Sequence, residues 1–159
     1  MNVIEWARPD IDKSAWGEGP WQTEPDKVQW TDDTTGLACL AVRHPRSGVW
    51  CGYVGVAPDH RFYEVDYNDV DADVHGGLTY ADLCQPESDP ACGICHIPEP
   101  GTPDHLWWLG FDCNHAWDVA PGDYRWRTKA GIGEIDDVYR TLGYVRDQCT
   151  QLAAQLVQA

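Results

Sequence analysis

Seven consecutive residues, Asp69-Val70-Asp71-Ala72-Asp73-Val74-His75, alternate strictly between polar and small apolar side chains. In an extended chain successive side chains point to opposite faces. The run therefore reads as a strand with Asp69, Asp71, Asp73 and His75 on one face and Val70, Ala72 and Val74 on the other. Same-face neighbours in a strand lie about 6.5–7 Å apart. Three carboxylates in such a row repel one another, and each raises the pKa of its neighbours. A fold avoids that cost by turning the row to water, by neutralising it, or by binding a metal ion. No Lys or Arg occurs between Arg61 and Arg125, so neutralisation has to come from a distant part of the chain. His75 adds a borderline nitrogen ligand, and Gly76-Gly77 lets a ligand approach the backbone closely. The plain alternative is a solvated sheet face ended by a capping histidine.

A second cluster is Asp112-Cys113-Asn114-His115-Ala116-Trp117-Asp118, directly after the apolar run His105–Phe111. That run is bounded by turn signals and reads as a buried strand, which would hold Asp112 on a rigid element. A helical turn starting there puts Asp112 and His115 on one face. Combined with the first motif, Asp71, Asp73, His75, Asp112 and His115 make a two-histidine, multi-carboxylate set suited to Zn²⁺, Mn²⁺, Fe²⁺ or Mg²⁺. His75, Asp112 and His115 are then the catalytic candidates. Tyr67, Gly76, Gly77 and Tyr80 are the ligand-binding candidates, the tyrosines, with Tyr53, offering faces on which a planar ring can stack. Without a metal, a histidine oriented by an aspartate serves as general base. The ordinary reading makes Asp112 an N-cap, His115 a surface residue and the aromatic rings core.

The cysteines (Cys39, Cys51, Cys84, Cys92, Cys95, Cys113 and Cys149) are odd in number, and no secretory signal opens the chain at Met1–Arg8. Seven reduced thiols and a cytoplasmic location are the expectation. Cys92-Gly93-Ile94-Cys95-His96 fits the c-type haem attachment pattern, but attachment requires export, so no haem is expected. A zinc knuckle would need Cys84 and Cys113 at irregular spacing. Cys113 is also a candidate nucleophile beside His115.

Around these motifs, residues 1–26 read as an irregular arm anchored by Trp6, Trp16 and Trp21, and 27–132 as sheet and loops. Strands are predicted at Lys27–Thr31, Leu37–Arg43 and Val49–Val56, joined by short turns into an antiparallel meander. Leu78-Thr79-Tyr80 continues the strand pattern after the glycine pair. Five prolines over 85–104 predict a long loop. Ile135, Val138, Tyr139, Leu142, Val145, Cys149, Leu152 and Leu156 recur at helical spacing, predicting an amphipathic helix over 133–157 with Asp136 and Asp137 in its first turn. The expected fold is one α+β domain over 1–159, a mainly antiparallel sheet with one long carboxy-terminal helix against it.

The stretch from Asp66 to Tyr80, followed by Trp107-Trp108-Leu109-Gly110-Phe111-Asp112-Cys113-Asn114-His115, resembles a family of small phage and prophage proteins. Tyr53-Val54-Gly55-Val56 and Tyr139-Arg140-Thr141-Leu142-Gly143-Tyr144-Val145-Arg146 share the likeness, which covers roughly residues 48–150. The resemblance implies a phage-related source and a host-cytoplasm setting, and carries no particular chemistry.

Eleven Lys and Arg against 26 Asp and Glu give a net charge of −15. A chain this acidic repels phosphate backbones, which argues against nonspecific nucleic-acid binding. No apolar run approaches the roughly 18 residues of a membrane span. The leading expectation is a metal-dependent hydrolase acting on a nucleotide-like or phosphorylated small molecule. The rival is a non-catalytic accessory protein that sequesters a small ligand or blocks a host protein. An acidic mimic of nucleic acid would spread its carboxylates, whereas these concentrate in motifs.

Overall fold

The computed structural model describes residues 3–85, 87–123 and 137–158. Six strands form one sheet: β1 (Ile4–Trp6), β2 (Lys27–Thr31), β3 (Ala38–Arg43), β4 (Trp50–Val56), β5 (Tyr80–Leu83) and β6 (Trp107–Asp112). Their spatial order is β1-β2-β3-β4-β6-β5, and every neighbouring pair is antiparallel. One helix, α1 (Leu142–Leu156), follows near the carboxy terminus, giving an α+β architecture. No helix among the described residues is long and apolar enough to cross a membrane.

The predicted meander forms as β2, β3 and β4. Three glycines in β4 and β6 each face an aromatic residue across the ladder: Gly52 with Phe111, Gly110 with Tyr53 and Gly55 with Trp108. A Cβ at Gly52 would lie 2.4 Å from Phe111, and one at Gly110 would lie 2.4 Å from Tyr53. The missing side chains are the space into which the rings fold, so aromatic cross-strand packing replaces the contacts glycine lacks. Trp107 and Trp108 divide between the two faces as alternation requires, Trp107 packing against the cluster that contains α1 and Trp108 lying in the other.

One face buries Val28, Cys39, Ala41, Val54, Leu109 and Phe111 together with Val145, Cys149, Leu152, Ala153 and Leu156 of α1. Each fully buried Val or Leu contributes about 1.5–3 kcal/mol. The other face, with Leu40, Val42, Tyr53 and Trp108, is covered by the proline-rich loop. Lys27, 1% exposed, fastens that loop by donating to the carbonyls of Pro90, Gly93 and Cys95. The Gln29 amide exchanges two hydrogen bonds with the backbone of Ile97, as a partner strand would.

Several expectations need correction. The arm is not wholly irregular, because Ile4–Trp6 adds β1 to the sheet edge. The helix begins at Leu142, so Val138 and Tyr139 precede it and Asp137 is not in its first turn; Ile135 and Asp136 lie outside the described residues. Thr141 stops it there: its hydroxyl accepts from the Tyr144 amide, while Glu24 accepts from the Leu142 amide. Both satisfy donors that a helix start leaves unpaired. Residues 69–75 make no strand. Tyr67–Asp69 is a 3-10 turn, residues 70–74 lie outside the sheet, His75 and Gly76 form a turn, and β5 starts only at Tyr80. Nor are all thiols reduced, since Cys84 and Cys95 form a disulfide and Cys39, Cys51, Cys92, Cys113 and Cys149 are free. The isolated antiparallel bridge Gln85↔Ile94 explains the pairing. One step along that register Cys84 and Cys95 stand opposite each other, with Cα atoms 4.8 Å apart, within the range a disulfide spans.

Candidate functional site

The alternating run keeps its inside and outside without a partner strand. Val70 and Val74 are buried in the core, whereas Asp71 and Asp73 are exposed. Its backbone is held by glutamines of α1. The Gln155 amide accepts from the Asp73 amide at 2.6 Å and donates to the Asp73 carbonyl at 2.8 Å, and Gln148 accepts from the His75 amide at 2.8 Å. Pinned in this way, the end of the run delivers the His75 ring against α1.

The second wall comes from the end of β6. Asp112 accepts from the Asn114 amide through one carboxylate oxygen and from the Thr79 hydroxyl through the other. The resulting turn leads into residues 115–118, closed by a bond from the Asp118 amide to the His115 carbonyl. A parallel bridge between Asp118 and Val138 then brings Arg140 alongside.

Asp118 is the centre of what these walls enclose. Its side chain is fully buried; one oxygen lies 2.9 Å from His75 Nε2 and accepts from the His115 amide at 3.1 Å, and the other accepts from Arg140 Nε at 2.9 Å. The second His75 nitrogen, Nδ1, is 2.8 Å from the Tyr144 hydroxyl. A carboxylate only accepts, so with no ion bound a neutral His75 donates from Nε2 and accepts from the Tyr144 hydroxyl at Nδ1. The three form a directed chain, Tyr144 to His75 to Asp118. Burial pushes the Tyr144 phenol above its ordinary pKa, and Arg140, whose guanidinium lies 5.0 Å from the ring centroid, pulls the other way.

His115 faces His75 with ring centroids 5.5 Å apart and stacks on the half-exposed Trp117 at 5.3 Å. Its Nε2 lies 3.1 Å from the Asp112 carbonyl and 3.5 Å from the Asp112 carboxylate. One ligand atom each from His75, His115 and Asp118 lies within 4.8 Å of the others, close enough for a single ion. Two imidazoles and a carboxylate are ligands that Zn²⁺, Mn²⁺ and Fe²⁺ accept, with positions left for water or substrate.

The structure thus brings together His75, His115 and Asp112 of the expected set. Gly76 lies against them, since a Cβ there would sit 2.0 Å from His115 Nε2. Asp71 and Asp73 point to solvent and do not join the three-ligand group. Gly77 takes a positive φ and its amide bonds the Val74 carbonyl. Tyr67 is half-buried in its 3-10 turn, and Tyr80 packs edge-on to Tyr53 in the cluster on the face away from α1. Asp118, Arg140 and Tyr144 were not expected. The available signal for Asp118 was an acid three residues after His115 and directly before the apolar pair Val119-Ala120. Cys113 is 2% exposed, and burial raises its thiol pKa, which opposes a reactive thiolate. Comparison of the chain with family models, curated proteins and solved structures finds no match.

Proposed function

We propose that the chain is a metal-dependent hydrolase acting on a small phosphorylated or nucleotide-like molecule, with a divalent transition metal held by His75, His115 and Asp118. The observation that carries this reading is the convergence of those three ligand atoms within 4.8 Å. Arg140 would orient Asp118, and Tyr144 would accept from His75 Nδ1 once the ring carries its proton there and leaves Nε2 free for the ion, as outer-shell partners of metal sites do. The ion would lower the pKa of a bound water and offset the charge of an anionic substrate against an acidic protein. Asp112, 3.5 Å from His115, would be the group that takes a proton from that water.

A second reading keeps the cleft and removes the turnover: a phage-type accessory protein that sequesters a small ligand or blocks a host protein. One observation favours it. Both His75 nitrogens and both Asp118 oxygens already have protein partners, so the network is satisfied without an ion. The test is hydrolysis of p-nitrophenyl phosphate and bis(p-nitrophenyl) phosphate by metal-loaded protein. The first reading expects turnover that falls by at least about 100-fold in His75→Ala, the scale of a lost catalytic contribution, while the melting temperature shows a folded protein. No turnover by the wild type with Zn²⁺ or Mn²⁺ bound moves the assignment to the second reading.

A further inference from the structure

Trp117 is 51% exposed, whereas every other described tryptophan is buried or half-buried. An indole left in water forgoes the burial that so large an apolar ring ordinarily supplies, and this one stands beside the proposed metal ligands. One of its faces is taken. The His115 ring lies over it with 15° between the planes and 5.3 Å between centroids, and the His75 ring stands edge-on at 6.4 Å. An indole that has one face under an imidazole and still keeps half its surface in solvent has its opposite face open. Its main chain is fixed. The Trp117 carbonyl accepts from the Val138 amide, and the next residue, Asp118, is buried with a partner on each carboxylate oxygen.

We propose that Trp117 is the base-stacking platform of this site, so that its substrate class is a nucleoside phosphate: the planar base lies on the open indole face while the phosphate meets the ion at His75, His115 and Asp118. The inference rests on the metal-dependent reading given above. An indole accepts any base, because every base presents a π-face and stacking needs no hydrogen-bond code. Nor does it need charge, which suits a protein of net charge −15: the ion meets the phosphate, and a neutral base meets a neutral ring. Tyr80, offered by the sequence for stacking, does not compete for the role, since it packs against Tyr53 in the cluster on the face away from α1. An indole has only two side-chain torsions and this one sits on a fixed turn, so little free energy goes into ordering it on binding.

The test compares adenosine monophosphate with ribose 5-phosphate, which has the same sugar and phosphate without the base, by calorimetric titration into zinc-loaded full-length protein. Adenosine monophosphate should bind about tenfold more tightly, the scale of one base stacked on an aromatic ring. Trp117→Leu should bring the two to equal affinity while zinc stoichiometry and the affinity for ribose 5-phosphate stay as in the wild type. Trp117→Phe, which keeps an aromatic face, should retain most of the preference. Equal affinity in the wild type, or binding of neither phosphate to protein that holds zinc, overturns the inference alone. So does an undiminished preference in a Trp117→Leu that still binds zinc. Failure of the wild type to bind zinc overturns the metal reading and the inference with it. If Trp117→Leu loses its zinc, Trp117→Phe decides: adenosine monophosphate should quench tryptophan fluorescence in the wild type and not in that variant, and equal quenching in both overturns the assignment.

Discussion

At position 76 a hydrogen occupies the place where any other residue puts a carbon 2.0 Å from His115 Nε2, and the backbone there has φ +67°. Two independent demands, close approach and left-handed backbone, fall on one glycine beside the proposed ligands. Gly76→Ala should therefore do more than strain the backbone by about 1–3 kcal/mol. It should also displace the His115 ring and weaken Zn²⁺ binding. Urea unfolding and zinc titration of the variant check both, and wild-type values in both would show that the ring does not need this glycine. Asp118 shows a different constraint at the same scale. A fully buried carboxylate with a partner on each oxygen cannot lose one without leaving the rest uncompensated, which ties His75, His115 and Arg140 into one unit.

Among the elements, the segment 70–75 is held in a way its sequence does not announce. Glutamine side chains of α1 replace the partner strand, and Gln155 alone meets both the amide and the carbonyl of Asp73. Gln155→Ala should speed hydrogen exchange of the Asp73 amide and leave the His75 amide, bonded to Gln148, protected. Because Asp73 is exposed, water can replace the lost bonds, so the stability cost should stay near 0.5–1.5 kcal/mol. Unchanged exchange at Asp73 would mean that the glutamine does not hold the segment. This also explains what was legible in the chain. Alternation correctly sorted Val70 and Val74 inward and Asp71 and Asp73 outward, because that depends only on extended geometry. It could not say what the backbone pairs with, since a glutamine 82 residues away carries no local signal. The β2–β3–β4 meander was legible because turn residues set its register. The start of α1 was misplaced because apolar spacing continues through Val138 and Tyr139, whereas Thr141 and Glu24 fix the cap. His75, His115 and Asp112 could be paired from their motifs; Asp118 could not, because its role arises only when Val138 and Arg140 fold against it.

For the molecule as a whole, the sheet separates two cores, one beneath α1 and one beneath the proline-rich loop, and they depend on different fasteners. Cys84–Cys95 closes a short loop, and a cross-link of that size contributes about 3 kcal/mol in the loop-entropy account. Cys84→Ser should lower stability by about 2–3 kcal/mol and open residues 87–104 to limited proteolysis. Identical stability with and without reductant would contradict that. The bond also removes the argument from reduced thiols for a cytoplasmic setting, since disulfides persist mainly in oxidising compartments. In the other core, segment 70–75, the end of β6 and α1 enclose His75, His115 and Asp118, the proposed metal ligands. Calorimetric titration of metal-stripped protein with Zn²⁺ tests whether these three side chains hold an ion. One ion bound per chain is expected in the wild type, with loss of that binding in both His75→Ala and Asp118→Asn while the variants remain folded. No saturable binding to the wild type, or equal binding by the folded variants, would contradict it.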